Sequence, residues 1–589
     1  MPLVIFHTRR VREALKAPES WLIDLAVLLA VAALIGAMIS FGKQFTAPYH
    51  DKTIISLSFW SLPKYTFFSL SRGFAAYALS LIFTLVYGTI AAHNRRAEKI
   101  MMPVLDVLQA IPVLGFLPGL VLAMISLFPT REIGLEIACI VMIFTGQAWN
   151  MVFSFHGSLR GIPPPLREVA ALQSFGGWKT FKLLEVPAAM IGLVWNSMMS
   201  MAGGWFFLTV NEAFTLGNRD FRLPGIGSYM NEAINQGNTP AMLAAIVAMV
   251  VMIVVVDQVF WRPIVVWSQK YKIEETAEAD KPQSWVLSML AHSQVYNWLA
   301  KKWSRREHLA TVVQRVVKAQ AKTNDSQQRR TSPVIVAAGR WLILILLAIA
   351  AAWGAWELAR LLLGLPLRDA TSQEDWLHVM LSLVASFIRT SAAVLLGAAW
   401  ALPVGILIGL SPRWAQRLQP VIQVVASFPA PMLFPLVTML LVILHVPFTA
   451  GCVALMLLGA QWYILFNVIA GATAIPGDLK EVAEVYRMSR TDRWTKLYIP
   501  CVFPYLVTGL ITAAGGAWNA TIVSEFVQVK DQTFTAFGLG STISHATSAG
   551  NFHLLCASIV TMAVFVVLVN RFFWKRLYRV AEARFSLNV

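Results

Sequence analysis

Charge is scarce in this chain. Only 13% of its 589 residues are Asp, Glu, Lys or Arg, against roughly a quarter in an ordinary soluble domain. That deficit excludes a water-soluble globule. Cysteine is scarcer still. Cys139, Cys452, Cys501 and Cys556 each lie within or beside an apolar stretch. Their spacing fits neither a zinc site nor a disulfide framework, so they read as small buried hydrophobes. Also missing are a Gly-x4-Gly-Lys-Ser/Thr loop, a His-Glu-x-x-His pair and any nucleophile with a neighbouring base. The one Gly-Lys pair, Gly42-Lys43, runs on into Gln44. The chain therefore lacks the backbone cradle for nucleotide phosphates, and no cofactor, metal or catalytic residue is expected on it.

Apolar residues are what the chain has, at 57% with a mean hydropathy of +0.62. A membrane-spanning helix needs about 20 of them in a row. Leu22–Phe41, Met242–Phe260, Trp341–Leu363, Val421–Leu444 and Leu554–Val569 are the clearest runs. The expected spans are 22–41, 66–92, 104–128, 132–155, 187–213 and 241–265, then 337–363, 379–410, 421–444, 448–470, 500–527 and 552–574. Leu22–Phe41 follows Arg9, Arg10, Arg12 and Lys16. It is longer than a secretory h-region and no small-residue cleavage site follows, so it reads as a retained first span.

The second half of the chain repeats the first. Glu168-Val169-Ala170 stands nineteen residues before Pro187, and Glu481-Val482-Ala483 nineteen before Pro500. The offset of 313 also carries Trp205 to Trp518, Glu212 to Glu525, and Gly225-Ile226-Gly227 to Gly538-Leu539-Gly540. Upstream the offset is 317, as for Arg72 and Arg389, Pro103 and Pro420, Pro112 and Pro429, Pro118 and Pro435. A four-residue deletion between Pro435 and Trp462 reconciles the two. Tandem membrane units imply a pseudo-dimer with a pathway between its halves. The expected divisions are a first unit 1–266 (core 66–265), a linker 267–334 and a second unit 335–589 (core 379–577).

The net charge of +17 comes from 48 Lys and Arg against 31 Asp and Glu. With no aromatic-basic nucleic-acid motif, it reads as the positive-inside bias of short loops. Arg95, Arg96, Lys99, Arg413 and Arg417, the loops after the fourth spans, and the far ends (Lys270, Lys272, Arg571, Lys575) fall on one side if both termini are cytoplasmic. An even number of spans per copy then makes the repeats parallel. The linker interleaves Trp285, Leu287, Trp298 and Trp303 with Lys301, Lys302, Arg305 and Arg306. Such a helix suits either the headgroup layer or a solvated connection.

The two Glu-x-Ala stretches resemble the cytoplasmic loop of importer-type ATP-binding-cassette (ABC) permeases. There a Glu-Ala-Ala signature precedes, after three residues, a Gly, and then a Pro. Glu168, Ala170, Ala171 and Pro187, and Glu481, Ala483, Glu484 and Pro500, keep the frame; the Gly positions hold Ser174 and Arg487. The Pro103/Pro112/Pro118 and Pro420/Pro429/Pro435 patterns, with Glu then Gly-x-Gly after the fifth span, resemble the nitrate, sulfonate, taurine and bicarbonate branch, in its fused, duplicated form. The resemblance implies an all-α integral membrane fold. Its twelve transmembrane helices would form two parallel six-helix units of the type I importer permease kind, in pseudo-two-fold arrangement. It also implies a place in the bacterial inner membrane. The implied partners are two ABC ATPase subunits carrying ATP and Mg, an extracytoplasmic substrate-binding protein and a small anionic substrate. By its own physics, each loop is a stiff helix held between two spans: Pro163–Pro165 and Pro476 start it, and Glu168 and Glu481 favour its first turn.

Ionisable groups inside a span call for a partner or a pathway. Arg72 and Glu212, and Arg389 and Glu525, are expected either to pair within each copy or to leave the arginines facing a shared axis where they attract an anion. Gly203-Gly204-Trp205 and Gly515-Gly516-Ala517-Trp518 allow close helix approach or local unwinding. Trp205, Asn211, Trp518 and Asn519 are thereby expected near the interface of the halves. The Gly-x-Gly segments are expected as tight outer loops. An ion-coupled secondary transporter is the alternative, but it needs mid-span carboxylates or histidines, and few are present.

Overall fold

A run of apolar residues in lipid has no water to satisfy its peptide groups, so it must satisfy them internally as helix. The computed structural model describes residues 53–110, 113–173, 175–216, 219–271, 284–292, 352–368, 374–529 and 532–585, with a few single positions besides. In the first repeat the helices are α1 (Leu62–His93), α2 (Arg95–Ala110), α3 (Leu117–Leu127), α4 (Ile133–Arg160), α5 (Pro164–Leu172) and α6 (Gly177–Asn211). A hairpin of β1 (Ala213–Leu216) and β2 (Arg219–Arg222) follows, then α7 (Ile226–Asn235) and α8 (Thr239–Val255). The linker contributes α9 (Trp285–His292). The second repeat has α10 (Trp376–Leu410), α11 (Pro412–Ser427), α12 (Phe434–Ile443), α13 (Phe448–Thr473), α14 (Gly477–Val485) and α15 (Arg490–Ser524). Its hairpin is β3 (Phe526–Val529) and β4 (Gln532–Thr535), followed by α16 (Leu539–Ala549) and α17 (Phe552–Val569). The two antiparallel hairpins share a register, Ala213 opposite Arg222 and Phe526 opposite Thr535.

Two compact units emerge. The larger takes Phe41–Asp257, Ser268–Glu275 and Gly364–Val589, and so holds most of both repeats. In the smaller, the Gln258 side-chain oxygen accepts from Arg262 Nη1 at 3.1 Å and from the Trp285 indole at 3.4 Å.

Among the described residues eight helices are long and apolar enough to cross a bilayer, and a ninth if a bent pair is counted as one. The first spans expected at 22–41 and 337–363 lie wholly or mostly outside the described residues. Only residues 352–363, which are helical, are described as an unbroken piece. The expected third spans are not continuous helices. Residues 95–109 and 113–127 meet at 84°. In the second repeat α11 stops at Ser427, Phe428 is extended (ψ 129°), and a short 3-10 turn Ala430–Met432 leads into α12. Pro429 bars its predecessor from the helical region and removes a donor. The fifth spans begin earlier than expected, at Gly177 and Arg490. Each passes through a wide π-type turn, Phe181–Glu185 and Arg493–Tyr498, just ahead of Pro187 and Pro500. The wide turn absorbs the clash between the proline ring and the carbonyl four residues back.

Within each repeat, α1, α4 and α6, or α10, α13 and α15, form the packed heart. Glycines set their spacing. A Cβ on Gly88 would meet the Phe155 ring at 2.6 Å. Between the repeats the contacts are exchanged reciprocally. α2 packs on α17 and α11 on α8, while the turn Val113–Phe116 packs on α15 and the turn Ala430–Met432 on α6. Each broken span therefore leans on the other repeat, as a pseudo-two-fold axis requires.

A Cβ on Gly409 would lie 2.6 Å from Ala472 Cβ and 2.7 Å from the Ile469 carbonyl oxygen. Gly409→Val is expected to wedge α10 off α13 and to cost about 1–3 kcal/mol, measurable as an earlier thermal unfolding transition of the detergent-solubilised protein.

Candidate functional site

Three features of the larger unit carry chemistry: a buried latch in each repeat, a short exposed helix in each repeat, and a cavity between them. The latch begins where α6 and α15 end. Glu212 and Glu525 follow the last turn, and both are fully buried. The Glu525 carboxylate accepts from Arg389 Nη1 at 2.8 Å, from Ser386 Oγ at 2.8 Å and from the Gly540 amide at 2.9 Å. Glu212 accepts from Arg72 Nη1 at 2.7 Å, Ser69 Oγ at 2.6 Å and the Gly227 amide at 2.8 Å. The Ile226 and Leu539 amides donate to the same serines. One carboxylate thus holds an arginine of α1 or α10 and neutralises the N-terminus of α7 or α16, where the helix dipole favours negative charge.

The Gly-x-Gly segments are therefore helix starts rather than outer loops. Gly225 and Gly538 are N-caps, and any Cβ there would overlap the glutamate carboxylate. A Cβ on Gly227 or Gly540 would collide with the Thr209 or Thr521 carbonyl. Only glycine lets the amide reach the carboxylate.

The two latches differ in one partner. Arg72 also makes a bidentate pair with Glu136 of α4, at 2.6 Å through both Nε and Nη2, and donates to the Pro224 carbonyl at 2.9 Å. In the second repeat the offset of 313 puts the exposed Thr449 opposite Glu136, and Arg389 Nη2 donates to the Phe537 carbonyl at 2.7 Å. Glu136, Ser69 and Ser386 were not singled out from the sequence. The signals were present: a carboxylate inside the expected span 132–155, and a serine three residues before each arginine, on the same helix face. Both arginines are consumed by these partners, and neither lines the cavity.

The short helices α5 and α14 lie between the fourth and fifth spans. In each, alanine is the one residue buried, Ala170 and Ala483, while Glu168, Ala171, Glu481 and Glu484 stand in solvent. Leu172, Val485 and Tyr486 are about four-fifths exposed. Ser174 lies outside the described residues. Arg487 adopts a left-handed backbone (φ 47°), the Met488 amide donates to the Ala483 carbonyl at 3.0 Å, and the Arg487 amide donates to Glu484 at 2.9 Å. That is a Schellman stop, which glycine fits without strain. Arg487 occupies the expected Gly position at that cost. The first repeat closes in the same way, with the Phe175 amide on the Ala170 carbonyl at 3.0 Å. His93 pairs with Glu185 at 2.8 Å, and Glu98 pairs with Arg160 and with His156. These contacts tie the end of α1 to the start of α6 and the end of α4 to the start of α2.

The cavity, about 170 Å³, opens between α4 and α6 of the first repeat and α13, α15 and the break after α11 of the second. Asn519 bridges the repeats, its Oδ1 accepting from the Val113 amide at 2.9 Å. Trp205 and Trp518 do not reach this interface. A Cβ on Gly73 would lie 2.7 Å from the Trp205 ring, and Trp518 packs edge-on to Phe565 at 5.7 Å. At 100° per residue, Gly203 and Gly516 face the cavity and turn Trp205 and Trp518 away. Asn211 faces a separate small void among α3, α4 and the first hairpin.

This is an all-α, multi-pass membrane protein made of two repeats that meet around a common cavity. Residues 84–260 and 401–587, together more than half of the chain, match the binding-protein-dependent transport system inner membrane component family, and the chain belongs to that family, carrying its domain twice. It is similar to the nitrate import permease protein NrtB of Leptolyngbya laminosa, 28% identical over 188 residues, which are 32% of this chain and 64% of that one. It is also similar to the bicarbonate transport system permease protein CmpB of Synechococcus elongatus, 31% identical over 144 residues, 24% of this chain and 50% of that one. A third relative is the putative aliphatic sulfonates transport permease protein SsuC of Bacillus subtilis, 28% identical over 188 residues, 32% and 64% of the two chains. The chain spans less than two thirds of the length of each of these relatives.

Two outcomes are expected from this geometry. Arg389→Leu leaves the Glu525 carboxylate buried without its cation and should cost about 3–5 kcal/mol, whereas Arg389→Leu with Glu525→Leu should cost less than the two single changes combined; thermal unfolding in detergent reads both. Arg487→Gly removes the left-handed strain and should raise stability by about 1 kcal/mol, read by the same transition.

Proposed function

We propose that this chain forms the membrane pathway of an ATP-driven importer for a small anion, and is not itself an enzyme. Two separate ATPase subunits supply the hydrolysis, docking on α5 and α14, and an extracytoplasmic binding protein delivers the solute. The observation that carries this reading is the pair of short helices at corresponding positions of the two repeats. Each is anchored by one alanine and presents its glutamates and large apolar side chains to solvent. Exposed apolar side chains flanked by charge suit a protein partner. The family supports the same reading, as do nitrate, bicarbonate and sulfonate permeases among the relatives. Basic loops beside α5 and α14 support a cytoplasmic location for that end, with both termini on the same side.

In this reading the chemistry of the chain is mechanical. A few residues after each docking helix the fifth span begins, passes through the wide turn ahead of Pro187 or Pro500, and is held at its far end by the Glu212 or Glu525 latch. A push on α5 or α14 therefore travels along α6 or α15 as rigid rods, past the cavity wall, to the latch. Drawing the two docking helices together rocks the repeats about the central cavity and switches its access from one face of the membrane to the other.

Affinity purification of the tagged chain should bring down an ATPase, and the reconstituted assembly should show ATP-dependent uptake. Glu168→Lys with Glu481→Lys should lower recovery of the ATPase and the uptake rate together by at least about tenfold, a loss of roughly 1.4 kcal/mol or more in docking. Uptake driven by an ion gradient with no ATPase present would refute the reading and favour an ion-coupled transporter.

A further inference from the structure

The last membrane helix is longer than the membrane is thick. Phe552–Phe585 runs for 34 residues, about 51 Å at 1.5 Å per residue. A hydrocarbon core is about 30 Å across. Counted from Phe552, the core therefore ends near Phe572, and the rest stands in the headgroup layer and beyond. The helix consists of α17, a wide π-type turn at Asn570–Trp574, and a final helix α18 (Lys575–Phe585). Ala581 is fully buried and the Phe585 ring lies 5.0 Å from that of Phe503. These contacts seat α18 on α15 and fix its other face outward.

That outward face changes character where the hydrocarbon ends. At a spacing of four it reads Val564, Leu568, Phe572, Arg576. The three apolar side chains are about half exposed, and Arg576 is exposed. The Arg576 guanidinium sits 5.9 Å from the centre of the Phe572 ring, within cation–π range. A second row beside it holds Arg571, Lys575 and Arg579, all exposed. Arg579 Nε donates back to the Lys575 carbonyl at 3.4 Å, which draws its head group toward the membrane. Four cations thus gather along about 12 Å of helix. The carboxylates nearest them are Asp106 of α2, which lies in the field of Lys575, and Glu582, three residues after Arg579. Among the described residues no carboxylate forms a salt bridge with any of the four.

The first repeat separates the two halves of this pattern. The offset of 313 puts Val251, Val255 and Val259 opposite Val564, Leu568 and Phe572, and all three are again about half exposed. Contact with acyl chains asks for such a row in both repeats. The charges are not repeated: Gln258, Pro263 and Val266 stand opposite Arg571, Arg576 and Arg579, and only Arg262, opposite Lys575, is basic. A general positive bias of the loops gives no reason for that difference at corresponding places.

We propose that the foot of the last span is a binding site for an anionic phospholipid, in the leaflet at the end that carries α14. Arg576 and Arg579 hold its phosphate, Arg571 and Lys575 add to the field, and one acyl chain lies along Val564, Leu568 and Phe572. A juxtamembrane basic cluster attracts anionic lipid. A zwitterionic head group brings an ammonium that the cluster repels. A soluble anion would use the cations and leave the apolar row without a purpose. The proposal requires only that α17 crosses the bilayer and does not depend on what the protein transports.

The test is native mass spectrometry of the full chain in detergent, titrated with dioleoyl phosphatidylglycerol and, separately, dioleoyl phosphatidylcholine. Phosphatidylglycerol should bind at least about tenfold more tightly, since each nearby cation is worth roughly fivefold. Arg576→Gln with Arg579→Gln should remove at least about tenfold of that preference. Arg576→Lys with Arg579→Lys, which keeps the charge, should retain most of it. Arg413→Gln with Arg417→Gln, which removes two exposed cations from α11, should leave it unchanged. An unshifted thermal unfolding transition in the glutamine variant separates loss of the site from loss of the fold, and the lysine variant decides the matter if that transition moves. Equal binding of the two lipids, a preference that survives the glutamine pair at α18, or an equal loss from the pair at α11 would each overturn the proposal. Displacement of phosphatidylglycerol by millimolar inorganic phosphate would overturn it too, by making the site one for a soluble anion.

Discussion

The structure depends on a single constraint: in a medium without water, every peptide group and every charge must find its partner inside the protein. Long uninterrupted helices meet it trivially. The informative places are those where a helix has to stop. At the end of the fifth span in each repeat, one carboxylate answers for an arginine, a serine and the opening turn of the next helix. Remove that carboxylate and three neighbouring elements lose their common anchor. The Gly-x-Gly sequence beside it follows from the same demand, since only a residue without a Cβ lets backbone approach so closely.

The same constraint explains where the chain tolerates a break. The third span of the second repeat is interrupted by Pro429, and the residues around the interruption are sheltered by α6 of the first repeat rather than by lipid. Non-helical backbone at membrane depth is permissible only when protein or a cavity covers it. Reciprocal shelter by the other repeat turns a local defect into the seam that joins the halves and forms one wall of the cavity.

Much of this can be read without coordinates. The tandem offset, the paired Arg and Glu positions and the Glu-x-Ala helices are legible because each occurs twice at the same spacing, and chance rarely duplicates a buried charge. The broken third spans are not legible from hydropathy, because averaging over a window is blind to direction. The facing of Trp205 and Trp518 is not legible either. Glycines beside each tryptophan leave the orientation of the fifth span undetermined until the neighbouring helices are known, and those helices place Gly203 and Gly516, not the indoles, on the cavity. Glu136 is not legible by repetition, because the second repeat holds no carboxylate at the matching position.

That lack of a counterpart has a consequence for how such a protein can change over time. In an assembly of two identical subunits every substitution is made twice, so both walls of a shared chamber must alter in step. Joining the halves in one polypeptide removes that coupling. Ser200 can stand across from Ala513, and Asn150 across from Tyr463, because a single codon change now remodels one wall and spares the other. Gene fusion thus opens lopsided chambers to selection.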